Sequence, residues 1–258
     1  MAISQDILQL PPQPPGDRIQ YGTDPLQFGE LRVPGGNGPY PVAIVIHGGF
    51  WRAAYDLDYI SHLCVALNEA GIATWSLEYR RIGNSGGGFP GTLDDIAAGA
   101  NYLGKLPASY HLDLNRVVVV GHSAGGQLAL WLAGQKNSIK LQGIVSLAGV
   151  SDLRRAYELK LSNTVVADFL GGSPDTVPDR YKIVSPIELL PLGVPQRLIH
   201  GTLDSNVPFE ISKSYVAAAK SRGDDAELIP LEGAHHFELI DPRTKEFETV
   251  KKTILELL

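Results

Sequence analysis

The residue best suited to do chemistry is a serine between glycines, in the run Val117–Leu128 (VVVVGHSAGGQL). A continuous apolar stretch leads into G-x-S-x-G, and a pattern of helical spacing follows it. In this context a strained turn between strand and helix exposes the serine hydroxyl at the carboxyl end of the strand. Gly121 and Gly125 would let the strand and the helix approach closely. The pattern predicts that Ser123 is a nucleophile rather than part of a glycine-rich turn without chemistry.

A serine needs a base to take its proton, and the segment Glu232–Glu238 (EGAHHFE) offers two histidines. The segment follows the last predicted strand, so it lies at the same edge of the sheet as Ser123. We expect His236 to be the base because Phe237 could anchor the loop, with His235 as the alternative. Three other histidines, at strand ends or beside the serine, are expected to be structural: His47, His122 and His200.

A carboxylate must hold the histidine in the correct tautomer and stabilise its charged form. Asp204 follows the penultimate predicted strand, in the segment His200–Pro208 (HGTLDSNVP), and reaches the same sheet edge. Asp152, after the preceding strand, is the rival acid, and its alternative role is to cap a helix. The chain order Ser123, Asp204, His236 is the order expected of an α/β-hydrolase and differs from the orders in chymotrypsin and subtilisin.

Acyl transfer also needs hydrogen-bond donors for a developing oxyanion. The glycines of Ile46–Trp51 (IHGGFW) end a predicted strand, where they allow backbone N–H groups to approach a ligand. We expect the donors to be the N–H of Ala124 together with that of Phe50 or Gly49. Taken by itself, the segment could equally be a glycine turn that ends a strand.

Apolar side chains near these segments predict a small, fairly open substrate pocket. The residues expected to contact substrate are Phe50, Trp51, Tyr157, Phe169 and Val207. A short lid insertion is expected at about residues 151–191, and it must also supply an ordinary crossover helix between parallel strands. Little chain then remains for a large lid, which favours short acyl groups or compact aryl groups.

Composition restricts the kind of protein that these residues could serve. The chain has 258 residues, 44% of them apolar and 19% charged, which fits one large α/β domain or at most two small ones. A net charge of −6 argues against a nucleic-acid partner. The single cysteine, Cys64, excludes an intramolecular disulfide and a cysteine-based zinc cluster, and no H-E-x-x-H pattern supports a metal site. The sequence shows neither a signal peptide nor a long apolar stretch, so we expect a cytoplasmic protein that does not enter a membrane.

Short apolar runs alternate with segments of helical spacing from about residue 19 onward, which predicts a mostly parallel eight-stranded sheet flanked by helices. Turn signals bound the first two strands, which are expected to be antiparallel edge strands. The predicted strands are Ile19–Tyr21, Gln27–Val33, Val42–His47, Ala73–Tyr79, Val117–Gly121, Gly143–Leu147, Gln196–His200 and Ala226–Leu231. The predicted helices are Asp58–Ala70, Thr92–Leu106, Ala124–Ala133, Glu210–Arg222 and Pro242–Leu258. The proline-rich residues 1–16 are expected to form an extended arm, and residues 17–258 a single domain.

The segments HGGFW, EYRR, GHSAGG, HGTLD-x-x-VP and HHFELID, in this order, resemble the α/β-hydrolase superfamily over nearly the whole chain from about residue 20. Within it, the chain looks like the small bacterial feruloyl and acetyl esterases, with kynurenine formamidase nearby. HGGF stands in place of the HGGG of the hormone-sensitive-lipase branch, so the chain is not placed there. The resemblance implies Ser123, Asp204 and His236 as a triad and no cofactor. It does not fix the substrate, because many chemistries share this fold.

The residues and the resemblance together favour a serine carboxylic-ester hydrolase that acts through an acyl-enzyme on small-molecule esters. One alternative is an amidase of the same mechanism, either an arylformamidase or an aminopeptidase. A second is a non-catalytic ligand-binding protein on the same scaffold. The presence of all three triad candidates argues against the binding protein, and the sequence leaves the oligomeric state open.

Overall fold

A computed structural model describes residues 4–258 and places eight strands in one mixed sheet. The strands are β1 Asp17–Gln20, β2 Phe28–Arg32, β3 Tyr40–Ile46, β4 Ala73–Leu77, β5 Leu112–His122, β6 Gly143–Leu147, β7 Gln196–Gly201 and β8 Ala226–Leu231. Their order across the sheet is β1-β2-β4-β3-β5-β6-β7-β8. The six strands β3 to β8 run parallel to one another. β2 pairs antiparallel with both β1 and β4. The prediction of a mostly parallel eight-stranded sheet is confirmed, but β2 lies inside the sheet and only β1 is at that edge.

Helices cover both faces of the sheet. Those of the described residues are α1 Ser61–Glu69, α2 Gly91–Tyr102, α3 Ala124–Ala133, α4 Leu153–Glu158, α5 Val165–Leu170, α6 Pro178–Val184, α7 Pro186–Leu189, α8 Phe209–Ser221 and α9 Lys245–Leu257. Helices α1 and α9 pack on one face, and α2, α3 and α8 pack on the other. Within residues 4–258, no helix is both long enough and apolar enough to span a bilayer.

The apolar run of β5 is buried on both sides because it lies in the middle of the sheet. Val117 and Val119 join the core under α2 and α3, while Val118 and Val120 join the core under α1 and α9. Side chains alternate between the two faces of a strand, so a strand covered on both faces is apolar at every position. This packing fixes the carboxyl end of β5, from which the chain enters the turn at Ser123.

The amino-terminal arm, whose packing the sequence leaves open, lies against the body of the protein. Residues 1–3 of the predicted arm lie outside the described residues, and Ser4–Gln9 form a 3₁₀ helix. Ile7 is buried against the core under α1, and the backbone N–H of Gln13 donates to Ser61 Oγ at 3.1 Å. The His62 ring also bonds the carbonyl oxygen of Pro11 at 3.1 Å. The arm therefore packs on α1, because its apolar side chain finds a buried place there.

The segment between β6 and β7 forms four short helices, α4 to α7, instead of one long crossover helix. Asp152 caps the first of them by accepting a hydrogen bond from the N–H of Arg155 at 3.0 Å. Gln127 and Trp131 of α3 donate side-chain hydrogen bonds to the carbonyls of Val184 and Ile183, both at 3.0 Å. These bonds tie the segment to the helix that follows Ser123.

Candidate active site

Ser123 occupies a strained turn between β5 and α3. Its backbone angles are φ 57° and ψ −120°, a conformation that costs about 1–3 kcal/mol for a residue with a side chain. The surrounding glycines make the turn possible. A methyl group at Gly121 would lie 2.0 Å from the carbonyl oxygen of Gly125, and one at Gly125 would lie 2.1 Å from that of Ile46. Only glycine fits at these two positions, as the sequence pattern predicts for a nucleophile turn.

The start of α3 lies directly behind Ser123. Ala124 is the first residue of this helix, so its N–H has no acceptor within the helix. The helix N-terminus also carries a partial positive charge, which favours negative charge on a nearby group. The N–H of Ser123 itself donates to the carbonyl of Leu147 at 2.8 Å, which anchors the turn to β6. The predicted oxyanion donor at Ala124 therefore has a free N–H at the right end of the helix.

His236 and Asp204 lie together, as predicted, on the loops that follow β8 and β7. His236 Nδ1 is 2.6 Å from Asp204 Oδ2, and a carboxylate can only accept, so Nδ1 carries the proton. A neutral His236 then has its lone pair on Nε2, which suits a general base. His235 is exposed, and its Nδ1 bonds the carbonyl of Leu203 instead. Of the two adjacent histidines, only His236 pairs with the carboxylate.

Asp204 is held by four donors. Its Oδ1 accepts from the N–H groups of Asn206 and Val207 at 2.8 and 2.9 Å, and its Oδ2 lies 3.2 Å from His200 Nε2 as well as bonding His236. Burial by itself would raise the pKa of the Asp204 carboxyl. The hydrogen bonds from His200 and His236 outweigh burial and hold this pKa well below its usual range. Asp204 is thus ionised and able to orient the histidine.

The glycine loop after β3 packs against the serine turn. Gly49, Phe50 and Trp51 all have positive φ angles, of 103°, 51° and 56°. A methyl group at Gly48 would lie 3.0 Å from Ser123 Cβ, so the loop passes directly over the nucleophile. Gly49 and Phe50 follow Gly48 in this loop, and their role as oxyanion donors stays a prediction.

A buried ionic cluster behind this loop was not predicted as part of the site. Glu78 pairs with Arg81 and accepts the N–H of Leu57 at 3.1 Å. His47 lies between Arg81 and the loop and donates Nδ1–H to the carbonyl of Gly48 at 2.9 Å. Burial would raise the pKa of Glu78, but its contacts with His47 and Arg81 lower it. The signal in the sequence was the EYRR segment, since β3 and β4 are neighbouring parallel strands whose ends must meet.

Three of the expected substrate contacts are part of the protein core. Trp51 and Phe169 have no exposed surface and stack on each other with ring centroids 4.6 Å apart. Trp51 also donates its indole N–H to Gln127 Oε1 at 3.0 Å. The side chain of Val207 is likewise fully buried. Their burial does not favour direct contact with a substrate, and the expectation that these three residues contact substrate stays a prediction.

The two remaining expected contacts, Phe50 and Tyr157, are partly exposed. A cavity of about 290 Å³ lies between the amino-terminal arm and the segment that leads into α1, with Tyr55 and Tyr59 among its walls. Ser123, His236 and Phe50 do not line it. Within residues 4–258, no group of three or more His, Cys, Asp or Glu side chains is arranged to hold a metal ion.

Comparison with known sequences shows similarity to esterases. The family model described as BD-FAE matches residues 32–218, well over half of the chain, and this range includes Ser123 and Asp204. A probable isoprenylcysteine alpha-carbonyl methylesterase of Arabidopsis thaliana is 26% identical over 248 residues, covering 86% of this chain and 50% of that protein. The chain spans about half the length of the curated relatives it matches first.

Solved structures show the same fold. A truncated carbohydrate esterase from gut microbiota superposes with a TM-score of 0.80 at 22% identity, covering 95% of this chain and 96% of that one. Esterase B of Lactobacillus rhamnosis superposes with a TM-score of 0.82 at 19% identity, covering 98% and 89% of the two chains. These similarities confirm the predicted α/β-hydrolase fold.

Proposed function

Because the chain belongs to the BD-FAE family and has the α/β-hydrolase fold, we propose that it is a serine carboxylic-ester hydrolase. The observation that carries this proposal is the hydrogen bond of 2.6 Å between His236 and Asp204, beside a serine held in a strained turn. The esterases among the relatives and the solved structures support the same class of reaction.

In the first half of the proposed reaction, Ser123 Oγ attacks the ester carbonyl while His236 Nε2 takes its proton. The carbonyl oxygen becomes an oxyanion, which accepts hydrogen bonds from the N–H of Ala124 and that of Phe50 or Gly49. His236 then gives the proton to the departing alkoxide, so the alcohol leaves and Ser123 carries the acyl group. One such backbone donor contributes about 2.7–4 kcal/mol to lowering the barrier.

In the second half, water replaces the alcohol. His236 takes a proton from the water as the water oxygen attacks the acyl-enzyme, and it returns the proton to Ser123 Oγ as the acid leaves. Asp204 keeps the histidine in the Nδ1–H tautomer and stabilises its charged form in both halves. Every group that these steps require belongs to this chain, so the proposed reaction needs no cofactor.

We propose short-chain or compact aryl esters as the substrate class, acted on by a single domain of residues 17–258. Trp51 and Phe169 stack on each other and have no exposed surface, so we expect no room between them for a long acyl chain. The short helices α4 to α7 are too brief to build a large lid over the site.

A panel of substrates tests the proposal. It contains p-nitrophenyl acetate and butyrate, methyl ferulate, N-formylkynurenine and an aminoacyl anilide. We expect the highest kcat/KM for one of the esters and none of the amides above it. A kcat/KM for N-formylkynurenine far above every ester would identify an arylformamidase instead, and no turnover of any of these by a folded protein would favour a binding role.

A further inference from the structure

We propose that Tyr59 and His122 are a positioning pair that holds the catalytic loop by the main-chain carbonyl of His236. His122 Nε2 lies 2.9 Å from the His236 carbonyl oxygen, and His122 Nδ1 bonds the hydroxyl of Tyr59 at 2.5 Å. His122 directly precedes Ser123 in the chain, so the same residue joins the nucleophile turn to the base. The inference rests on the proposed function, because it concerns how that site is assembled.

The direction of each hydrogen bond follows from the chemistry of the partners. A carbonyl oxygen only accepts, so His122 Nε2 must carry a hydrogen and donate it to His236. A neutral imidazole has one N–H, which leaves a lone pair on Nδ1 to accept the O–H of Tyr59. Complete burial lowers the pKa of His122 well below its usual range, and the charge of His236 lowers it further. His122 is therefore neutral, and its tautomer is set by these two partners.

The titratable groups around His122 come from three parts of the fold. Tyr59 lies in the 3₁₀ helix Leu57–Ile60, His236 follows β8, and Asp204 and His200 lie at the end of β7. The ring centroids of His122 and His236 are only 4.5 Å apart. A neutral His122 adds no positive charge beside His236 when the base takes the serine proton, so this proton transfer meets no repulsion from it.

The pair supplies the constraint on His236 that Asp204 cannot. Asp204 fixes the rotation of the imidazole through Nδ1 but makes no bond to the backbone of His236. Other bonds hold the preceding part of the loop, such as the one from the N–H of Leu203 to the Ala234 carbonyl. The bond from His122 holds the backbone of His236, and the rings of Tyr59 and Phe237 pack around it, with centroids 6.2 Å apart. A displacement of about 1 Å in a catalytic group can cost about 10²-fold in rate. Tyr59 and His122 thus act on catalysis through the place of His236 and not by touching the substrate.

The main test is Tyr59→Phe, which keeps the ring and removes only the hydroxyl. We expect kcat for p-nitrophenyl butyrate to fall about tenfold with KM within twofold of the wild-type value. The rate at which a p-nitrophenyl phosphonate labels Ser123 should fall by the same factor, since labelling reports nucleophile activation without turnover. Tyr110→Phe is the matched control. Its hydroxyl bonds Asp17 near the start of β5, about 30 Å along that strand from Ser123, so both rates should be unchanged.

Variants at His122 provide a second measurement. His122→Gln keeps a donor that can reach the carbonyl, and we expect it to retain more activity than His122→Phe. The double variant Tyr59→Phe/His122→Phe should be no slower than His122→Phe alone, because residues of one network are not additive. Thermal unfolding shows which variants are folded, and activities are compared only among the folded ones.

Two results would overturn the inference. One is a Tyr59→Phe protein whose kcat and phosphonylation rate both stay within twofold of the wild type. The other is a double variant whose loss is the product of the two single losses, since independent effects exclude a shared network. If the phosphonate fails to label Ser123 in the wild-type protein, the proposed function itself is wrong and this inference falls with it.

Discussion

Ser123 and His236 are almost completely buried, with exposed fractions of 2% and 3%, yet both belong to loops at the carboxyl edge of the sheet. Polar side chains in such a place are stable only when their hydrogen-bonding groups have partners. Asp204 provides the partner for one nitrogen of His236. The burial of Ser123 and His236 keeps water away from the reacting atoms, and electrostatic interactions between these atoms become stronger as a result.

Ser123→Ala should abolish ester hydrolysis without unfolding the protein. The loss of Oγ removes the nucleophile, and alanine fits the space that serine occupies, so the strained turn is kept. We expect less than about 1% of the wild-type rate, because a member of such a triad contributes several orders of magnitude. The rate with p-nitrophenyl butyrate measures the loss of activity, and a far-ultraviolet circular dichroism spectrum shows whether the variant is folded. A residual rate above 1% would move the nucleophile elsewhere.

The two adjacent histidines should differ sharply. His236→Ala removes the residue that pairs with Asp204, so we expect a loss comparable with that of Ser123→Ala. His235→Ala removes an exposed ring whose Nδ1 bonds only the Leu203 carbonyl, and its kcat should stay within a few-fold of the wild type. Steady-state kinetics of both variants show whether His236 or His235 is the base. The reverse ranking would assign the base to His235.

Asp204 should make the stability of the protein depend on pH in the acid range. Its folded-state pKa is lowered from 3.8, so its contribution is fully present above the unfolded-state value and is lost as pH falls through the folded-state value. Below about pH 3.8, the unfolding free energy of the wild type should fall relative to Asp204→Asn by about 1.4 kcal/mol per pH unit. Urea unfolding of both proteins between pH 6 and pH 3 measures this, and parallel curves throughout would contradict it. Above pH 5, Asp204→Asn should still lower kcat, by up to about 10⁴-fold.

At the scale of elements, the serine turn exists because β3, β5 and α3 approach without side chains between them. Gly125→Ala would place a methyl group 2.1 Å from the Ile46 carbonyl oxygen and 2.5 Å from that of His47. Backbone on both sides must then move, and overpacking of this kind costs about 1–3 kcal/mol. We expect the urea midpoint and kcat to fall together, because the shift separates the glycine loop from Ser123.

The control for this substitution is Gly35→Ala. A methyl group there meets no atom within 4 Å, so the unfolding free energy should change by no more than about 0.5 kcal/mol. Equal losses in the two variants would mean that the close packing at Gly125 does not determine the turn.

The elements that the sequence predicted well are those with a strong local signal. The bounds of β6 and α3 match the prediction residue for residue, because a continuous apolar run and a glycine turn are visible without knowledge of the fold. β5 begins at Leu112, five residues before the predicted start, since its first part mixes leucines with polar residues, is only partly buried and pairs with β3 across an irregularity. The final helix begins at Lys245 rather than at the predicted Pro242, because Thr244 caps the helix by accepting a hydrogen bond from the N–H of Phe247.

The parts of the site that escaped prediction depend on tertiary contacts. Trp51 and Phe169 are 118 positions apart in the chain, and nothing local tells that they stack on each other instead of facing a substrate. Tyr59 carries no motif, and its bond to His122 exists only because α1 begins beneath the glycine loop. The burial of Ile7 is of the same kind, because proline content indicates an extended chain but not where it packs.

At the scale of the whole molecule, the packing that supports the site also limits what the site can hold. Trp51, at the end of the glycine loop, stacks on Phe169 with no exposed surface, and α7 contacts α3. The segment between β6 and β7 consists of helices of four to seven residues tied by hydrogen bonds to α3. We expect these short, anchored helices not to open as a large lid.

The acyl-chain preference of the enzyme should therefore reach its maximum early. Each methylene that fits the pocket should add up to about 0.8 kcal/mol through burial, and this gain should stop when the pocket is full. In a p-nitrophenyl series from acetate to palmitate, we expect the highest kcat/KM at or below about eight carbons. The rate with longer esters should show no increase at the critical micelle concentration, because no lid has to open on a lipid surface. A maximum at palmitate, or a sudden rise above that concentration, would require a long acyl channel that opens by moving Trp51 or Phe169 out of the core.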